Sequence, residues 1–413
     1  MIRNNFRVRH FLLLLFLFTN SYAFLYFILG GTATKSIKFE IDDLIVYQMS
    51  SFLSLTLILI ILYMLFYKFS CRVRVSVSSL SIGTLSYKLH DIIGIIIIFS
   101  MSISLIVLKS SGMAAGHNDD VVSGGMFGVI NAIFQFQTLV LVYICSCARS
   151  KVWITTVVIY VIYNLLLGWT SFILVLTLLY LFDKECRAQI NWEKTFVFIG
   201  VVFLCYPLIY YLRYVFRVSV GADIGIADIQ VLQVVGTQAS WIDYVFFCYF
   251  QLVERLQQFY LNTGVLYYYD LITEATESGL IFPYYFEGLH RNVIGSIFYP
   301  NAQSLGSYLP TLFYHDMFIG DFFWNVSPGL IGWFISSNIS IALLPLYVGL
   351  MVTTPVVILK RLGAPDLALS LVFIKIILLL FHGWMGQYFN FVWSLCVFYF
   401  LVLILHCFQR ILR

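Results

Sequence analysis

Arg213 and Arg217 lie four residues apart at the end of an apolar run. On a helix that spacing puts both guanidinium groups on one face, about 5 to 6 Å apart at their bases. Guanidinium forks bind phosphate oxygens bidentately and never lose their charge, so the pair suits a diphosphate. The plain alternative is snorkelling, in which both side chains reach for lipid head groups from a helix end. Arg291 supplies a third guanidinium downstream, with Glu287 a ready ion-pair partner. Glu287, His290, His315 and Asp316 could each take a proton from a hydroxyl. A histidine titrates near neutral pH, and a carboxylate in apolar surroundings is pushed toward that range. Spacing alone does not choose among the four.

Lys375 sits in the middle of an apolar run, and His382 follows seven residues later, two turns on along the same helix face. A lysine at that depth costs about 2.5 to 3.5 kcal/mol on insertion scales, so it faces the bundle interior or a polar cleft. There it either touches a lipid phosphate or bonds to backbone carbonyls. Tyr268, in the run Tyr267–Tyr269, and Tyr284 and Tyr285, in Pro283–Phe286, offer flat apolar faces that carry hydroxyls. Such faces suit stacking on sugar rings, and equally suit anchoring at a membrane interface. No CxxC pair, HExxH, Asp-rich metal pattern, Walker loop or GxGxxG loop is present, so neither a metal nor a nucleotide cofactor is expected.

These residues are carried by a chain of 413 residues that is 61% hydrophobic and only 11% charged. No water-soluble surface can be built from that composition. A net charge of +4 spread over the whole length excludes nucleic acid as a partner. Apolar runs long enough to cross a hydrocarbon core recur, and ten are read. They cover residues 11–30, 44–67, 92–108, 127–147, 152–167, 170–182, 195–214, 336–359, 367–381 and 391–407. The fifth and sixth are split at Gly168-Trp169-Thr170-Ser171, because one 31-residue helix would need a large tilt. The first follows Arg3, Arg7 and Arg9 and reads as an uncleaved anchor.

With the N-terminus inside, 16 of the 24 basic residues fall on inner segments, so both termini are expected in the cytoplasm. The expected architecture is an all-α polytopic membrane protein of about ten transmembrane helices with one large, partly helical periplasmic loop. It divides into an N-terminal bundle over 1–217, the loop over 218–326 and C-terminal helices over 327–413. Within the loop, Trp241 to Leu261 reads as one amphipathic helix with Asp243, Gln251, Glu254 and Gln258 near a single stripe. Arg213, Arg217, Arg255 and Arg291 all fall outside, where cations should be scarce.

The block Gly288-Leu289-His290-Arg291, Phe298-Tyr299-Pro300, Leu309-Pro310-Thr311, Gly320-Asp321-Phe322-Phe323-Trp324-Asn325 and Gly329-Leu330-Ile331-Gly332 resembles the Wzy-type O-antigen (oligosaccharide repeat-unit) polymerases. So does the arrangement of many spans around one large outer loop. The resemblance implies a GT-C-like glycosyltransferase of the bacterial inner membrane that uses neither metal nor nucleotide sugar. Donor and acceptor would be oligosaccharides on undecaprenyl diphosphate, with membrane lipids and a chain-length regulator as further partners. Arg213 or Arg217, and Arg291, correspond to the arginines thought to hold lipid diphosphate in that family. Where relatives often have Pro-Arg, this chain has His290-Arg291. Two other readings stay open: an O-antigen ligase that hands glycan to lipid A core, and a flippase or transporter.

Overall fold

The computed structural model describes residues 7–29, 44–73, 75–76, 81–110, 133–148, 150–221, 241–288, 295–313 and 326–411. Among them the chain is helical, and its only β feature is an isolated bridge between Ile281 and Gln303. The helices are α1 (Arg7–Ile28), α2 (Leu44–Arg72), α3 (Tyr87–Ser110), α4 (Phe136–Ser146), α5 (Trp153–Leu166), α6 (Ser171–Cys186) and α7 (Trp192–Gly221). They continue with α8 (Trp241–Leu256), α9 (Phe259–Tyr267), α10 (Tyr269–Glu277), α11 (Leu305–Phe313) and α12 (Gly329–Ile335). Last come α13 (Asn338–Arg361), α14 (Asp366–Lys375) and α15 (Met385–Ile411).

Six of them, α1, α2, α3, α7, α13 and α15, are long and apolar enough to cross a membrane. The protein is therefore an α-helical polytopic membrane protein. A count of ten crossings is not carried by helix length. The other expected spans fall on α4 with 11 residues, α5 with 14, α6 with 16 and α14 with 10. At 1.5 Å per residue, each is shorter than a hydrocarbon core of about 30 Å. Residues 127–132 of the fourth run lie outside the described residues.

Two compact units make up the chain, each drawn from separate stretches of sequence. The first combines residues 1–76, 255–361 and 372–396. In it α9 packs against α1, α2 and α12, while α2 also lies against α13. Phenylalanines join these elements: Phe259 is fully buried, with Phe24 edge-on at 5.6 Å, and Phe16 meets Phe381 at 5.9 Å. Two glycine backbones touch where α12 begins. Gly329 donates its N–H to the His382 carbonyl at 3.0 Å, and a Cβ on Gly383 would run into the Gly329 carbonyl. Gly383 has φ +76°, a conformation that glycine adopts freely. Trp333, wholly buried, closes the junction by donating to the Gly383 carbonyl at 2.7 Å.

The second unit combines residues 77–254, 362–371 and 397–413. Here α3 packs on α4 and α5, and α5 on α7. The break between α5 and α6 falls at Gly168, whose φ of +73° ends the helix while its N–H bonds back to Leu165 at 2.9 Å. Gly94 on α3 leaves room for the Tyr143 hydroxyl, which donates to Ser150 at 2.7 Å. Ser150 in turn donates to Asp91 at 2.8 Å, tying α3 to the turn before α5.

Pro207 sits inside α7. It has no N–H, so the carbonyl four residues earlier, on Phe203, loses its helical partner. Tyr249 on α8 donates to that carbonyl at 3.0 Å and stacks its ring on Phe203 at 4.1 Å. One helical turn away, Tyr244 donates to the Pro207 carbonyl, also at 3.0 Å. The proline therefore creates the acceptor that docks α8.

The single amphipathic helix expected over 241–261 is in fact two. Residues Gln257 and Gln258 interrupt it, both buried. The freed Gln258 N–H finds Asn20 Oδ1 at 2.9 Å, and the Tyr260 N–H finds Gln257 Oε1 at 3.1 Å. The partner that satisfies the break lies on α1, which is why periodicity within the segment reads straight through it.

Candidate functional site

Arg213 lies on α7 about two turns beyond Pro207, and only 9% of it is exposed. Its guanidinium stands over the Tyr210 ring, 5.3 Å from the centroid. Tyr210 packs on Tyr206 and, edge-on, against Phe247 of α8. The docking of α8 by two tyrosine hydroxyls thus builds the aromatic bed on which the guanidinium rests. A cation on a ring face keeps its charge while shedding much of its water, which strengthens its pull on an anion. The Arg217 side chain lies outside the described residues, as do His290, Arg291, His315 and Asp316.

Glu287 belongs to the first unit, as do Tyr268, Tyr284, Tyr285 and Lys375, whereas Arg213 belongs to the second. Residues Tyr284–Phe286 form one tight helical turn, after which the Glu287 N–H returns to the Tyr284 carbonyl at 3.2 Å. Gly288 follows at φ +122°, and a Cβ there would lie 2.8 Å from the Phe389 ring. A Cβ on Gly386 would lie 2.9 Å from the Gly288 nitrogen. Bare backbone at both positions lets the Glu287–Gly288 backbone pack against the first turn of α15. Glu287 is half-buried, a setting in which a carboxylate can serve as a base.

The structure brings Tyr284, Tyr285 and Glu287 together, and adds Tyr347 of α13. The Tyr284 and Tyr347 rings meet edge-on at 5.1 Å, and the Tyr347 hydroxyl is buried. Tyr284 is only 2% exposed, so both of its faces belong to the protein, whereas 40% of Tyr285 is open. Burial holds the Tyr284 hydroxyl above the usual phenol range, reinforced by Tyr285. Tyr268 is half-buried between Tyr267, at 4.6 Å, and Phe313, at 5.9 Å. Of the three tyrosines, Tyr285 is the most exposed, with its ring also against Tyr284 at 5.2 Å and Phe286 at 5.1 Å.

Lys375 is half-buried at the last position of α14. The expected shared face with His382 does not form. A π-helical stretch, Ile376–Leu380, replaces the α-helix after Lys375, and a turn follows. His382 stands in that turn, its Nδ1 3.0 Å from the Ile377 carbonyl. The wider turn adds a residue and shifts the register, so a seven-residue spacing no longer means two turns.

Tyr210 and Tyr347 were not singled out by the sequence, since one tyrosine in an aromatic-rich apolar run looks like any other. Among the described residues no group of three His, Cys, Asp or Glu side chains comes together that could hold a metal ion. Comparison with models of known families, with curated proteins and with solved structures gives no match.

Proposed function

We propose that this membrane protein polymerises oligosaccharide repeat units carried on undecaprenyl diphosphate, at the periplasmic face of a bacterial inner membrane. The observation that carries the reading is Arg213, a permanently charged group kept largely out of water and braced on an aromatic ring at the end of a long apolar helix. In the proposed topology both termini are cytoplasmic and the Arg213 end of α7 faces outward. The resemblance described above supplies the substrate class.

In the reaction, an acceptor hydroxyl attacks the anomeric carbon of the donor glycan. The bond from that carbon to the diphosphate oxygen breaks, and undecaprenyl diphosphate departs with the electron pair. Arg213, together with Arg217 and Arg291, neutralises the leaving group as the sugar becomes oxocarbenium-like. The hydroxyl proton passes to a base, for which Glu287 is the described candidate, with His290, His315 and Asp316 as the others. Tyr285, 40% exposed, offers the solvent-facing part of its ring to a pyranose.

Purified protein given lipid-linked repeat units should build polymer, and Arg213→Ala, Arg217→Ala and Arg291→Ala, made singly, should shorten or abolish it. Unchanged polymer length in all three would refute the diphosphate clamp. A strain lacking the protein should carry lipid A core capped with a single unit. Core without any glycan would instead indicate a ligase, and substrate binding without turnover a transporter.

A further inference from the structure

The junction of α9, α12 and the Phe381–Trp384 turn holds more hydrogen-bond acceptors than donors. Asn262 on α9 is 1% exposed, and its Nδ2 donates to Ser51 Oγ at 3.2 Å and Ser54 Oγ at 3.4 Å. Both serines have already used their hydrogens, Ser51 on the Phe259 carbonyl and Ser54 on the Ser51 carbonyl. They can only accept, which fixes the amide with its oxygen facing the other way. That oxygen, Asn262 Oδ1, is buried with no hydrogen-bond partner. It points at Gly329, lying 3.2 Å from where a Cβ would stand, and Gln258 Oε1 is 3.9 Å from the same point.

Ser327 deepens the imbalance. Its single hydroxyl hydrogen faces two acceptors, Gln258 Oε1 at 3.1 Å and the His382 carbonyl. The His382 carbonyl also takes the Gly329 N–H. Asn262 Oδ1 and Gln258 Oε1 therefore flank the missing side chain of Gly329, Ser327 Oγ and His382 O adjoin them through Gln258 and the Gly329 N–H, and the four neutral oxygens share two hydrogens. The His382 carbonyl comes two residues after the π-helical stretch Ile376–Leu380 that continues α14, at a helix C-terminal end, where backbone dipoles favour a cation. Oxygens alone select a hard cation, and with no carboxylate among them the dehydration cost of a divalent ion goes unrepaid.

We propose that this nook binds a monovalent metal cation, sodium, which pins the start of α12 to the α14–α15 turn and to α9. The inference is independent of the glycosyl-transfer proposal.

The test is thermal melting of the purified full-length protein in detergent, in sodium chloride against choline chloride at equal ionic strength. Sodium should raise Tm saturably, by roughly 3 °C or more. Asn262→Asp adds a charge to the cage and should lower the half-saturating sodium concentration by about tenfold or more. Asn262→Leu and Ser327→Ala should each erase the sodium response. Equal melting of the wild type in the two salts would overturn the proposal, as would a sodium response that persists in Asn262→Leu. If Asn262→Leu does not fold, the decision falls to Asn262→Asp, and an affinity unchanged from wild type would sink the site.

Discussion

Two glycines of the same chain face opposite demands. Gly383 has φ +76° and would drive a Cβ into the Gly329 backbone, whereas Gly200, in the interior of α7, has nothing within 4 Å of its missing Cβ. Gly383→Ala should destabilise by about 3 kcal/mol or more, since both strain and collision act and backbone cannot move aside like a side chain. Gly200→Ala should be neutral or stabilising, by up to about 1 kcal/mol, because alanine favours the helix. Denaturation in detergent distinguishes them, and equal effects would contradict the geometry. Tyrosines outside the candidate membrane spans set a pH limit of their own. Burial raises the hydroxyls of Tyr284 and Tyr308 above the ordinary phenol value, with the Tyr285 hydroxyl and the Glu274 charge adding to the respective shifts. The neutral phenol is the form the fold favours, so its contribution is complete below about pH 10 and falls away as pH rises through the raised folded values. Melting temperature followed from pH 8 to pH 12 should be flat at first and then drop. Phenylalanine at both positions should remove part of that drop.

Pro207 makes its prediction at the level of helix pairing. If the proline exists to expose the Phe203 carbonyl, then Tyr249→Phe should cost about 1 kcal/mol in the native sequence, the worth of one hydrogen bond. In a Pro207→Ala background the helix can supply its own N–H, and the same change should cost much less. A double-mutant cycle measures the difference directly, and strict additivity would mean the two are unconnected. This coupling also shows what a sequence does and does not display. The turn at Gly168 was legible, since a glycine between two apolar runs is a local signal. The interruption at Gln257 and Gln258 was not, because Asn20 satisfies it from 238 residues away. Nor was the π-helical stretch after Lys375, which leaves no mark in apolar periodicity and which displaced His382 from its expected face. Arg213 was legible as a cation at the end of an apolar run, but the Tyr210 ring beneath it was hidden among many aromatics.

For the molecule as a whole, composition alone announced the membrane, while the grouping of helices had to come from packing. The first unit takes its pieces from residues 1–76, 255–361 and 372–396. Asn20 and Ser51 sit among apolar neighbours on the first two helices, and their partners Gln258 and Asn262 come from the second of those pieces. During synthesis at about 5 to 20 residues per second, Asn20 waits on the order of 10 to 50 s for its counterpart to emerge. Until then, polar groups that the finished protein hides are presented to lipid or to whatever insertion machinery holds the nascent chain. The opening helices must therefore be sheltered as guests before they can become part of a core, and a ribosome that stalls before residue 255 leaves them paired only with each other.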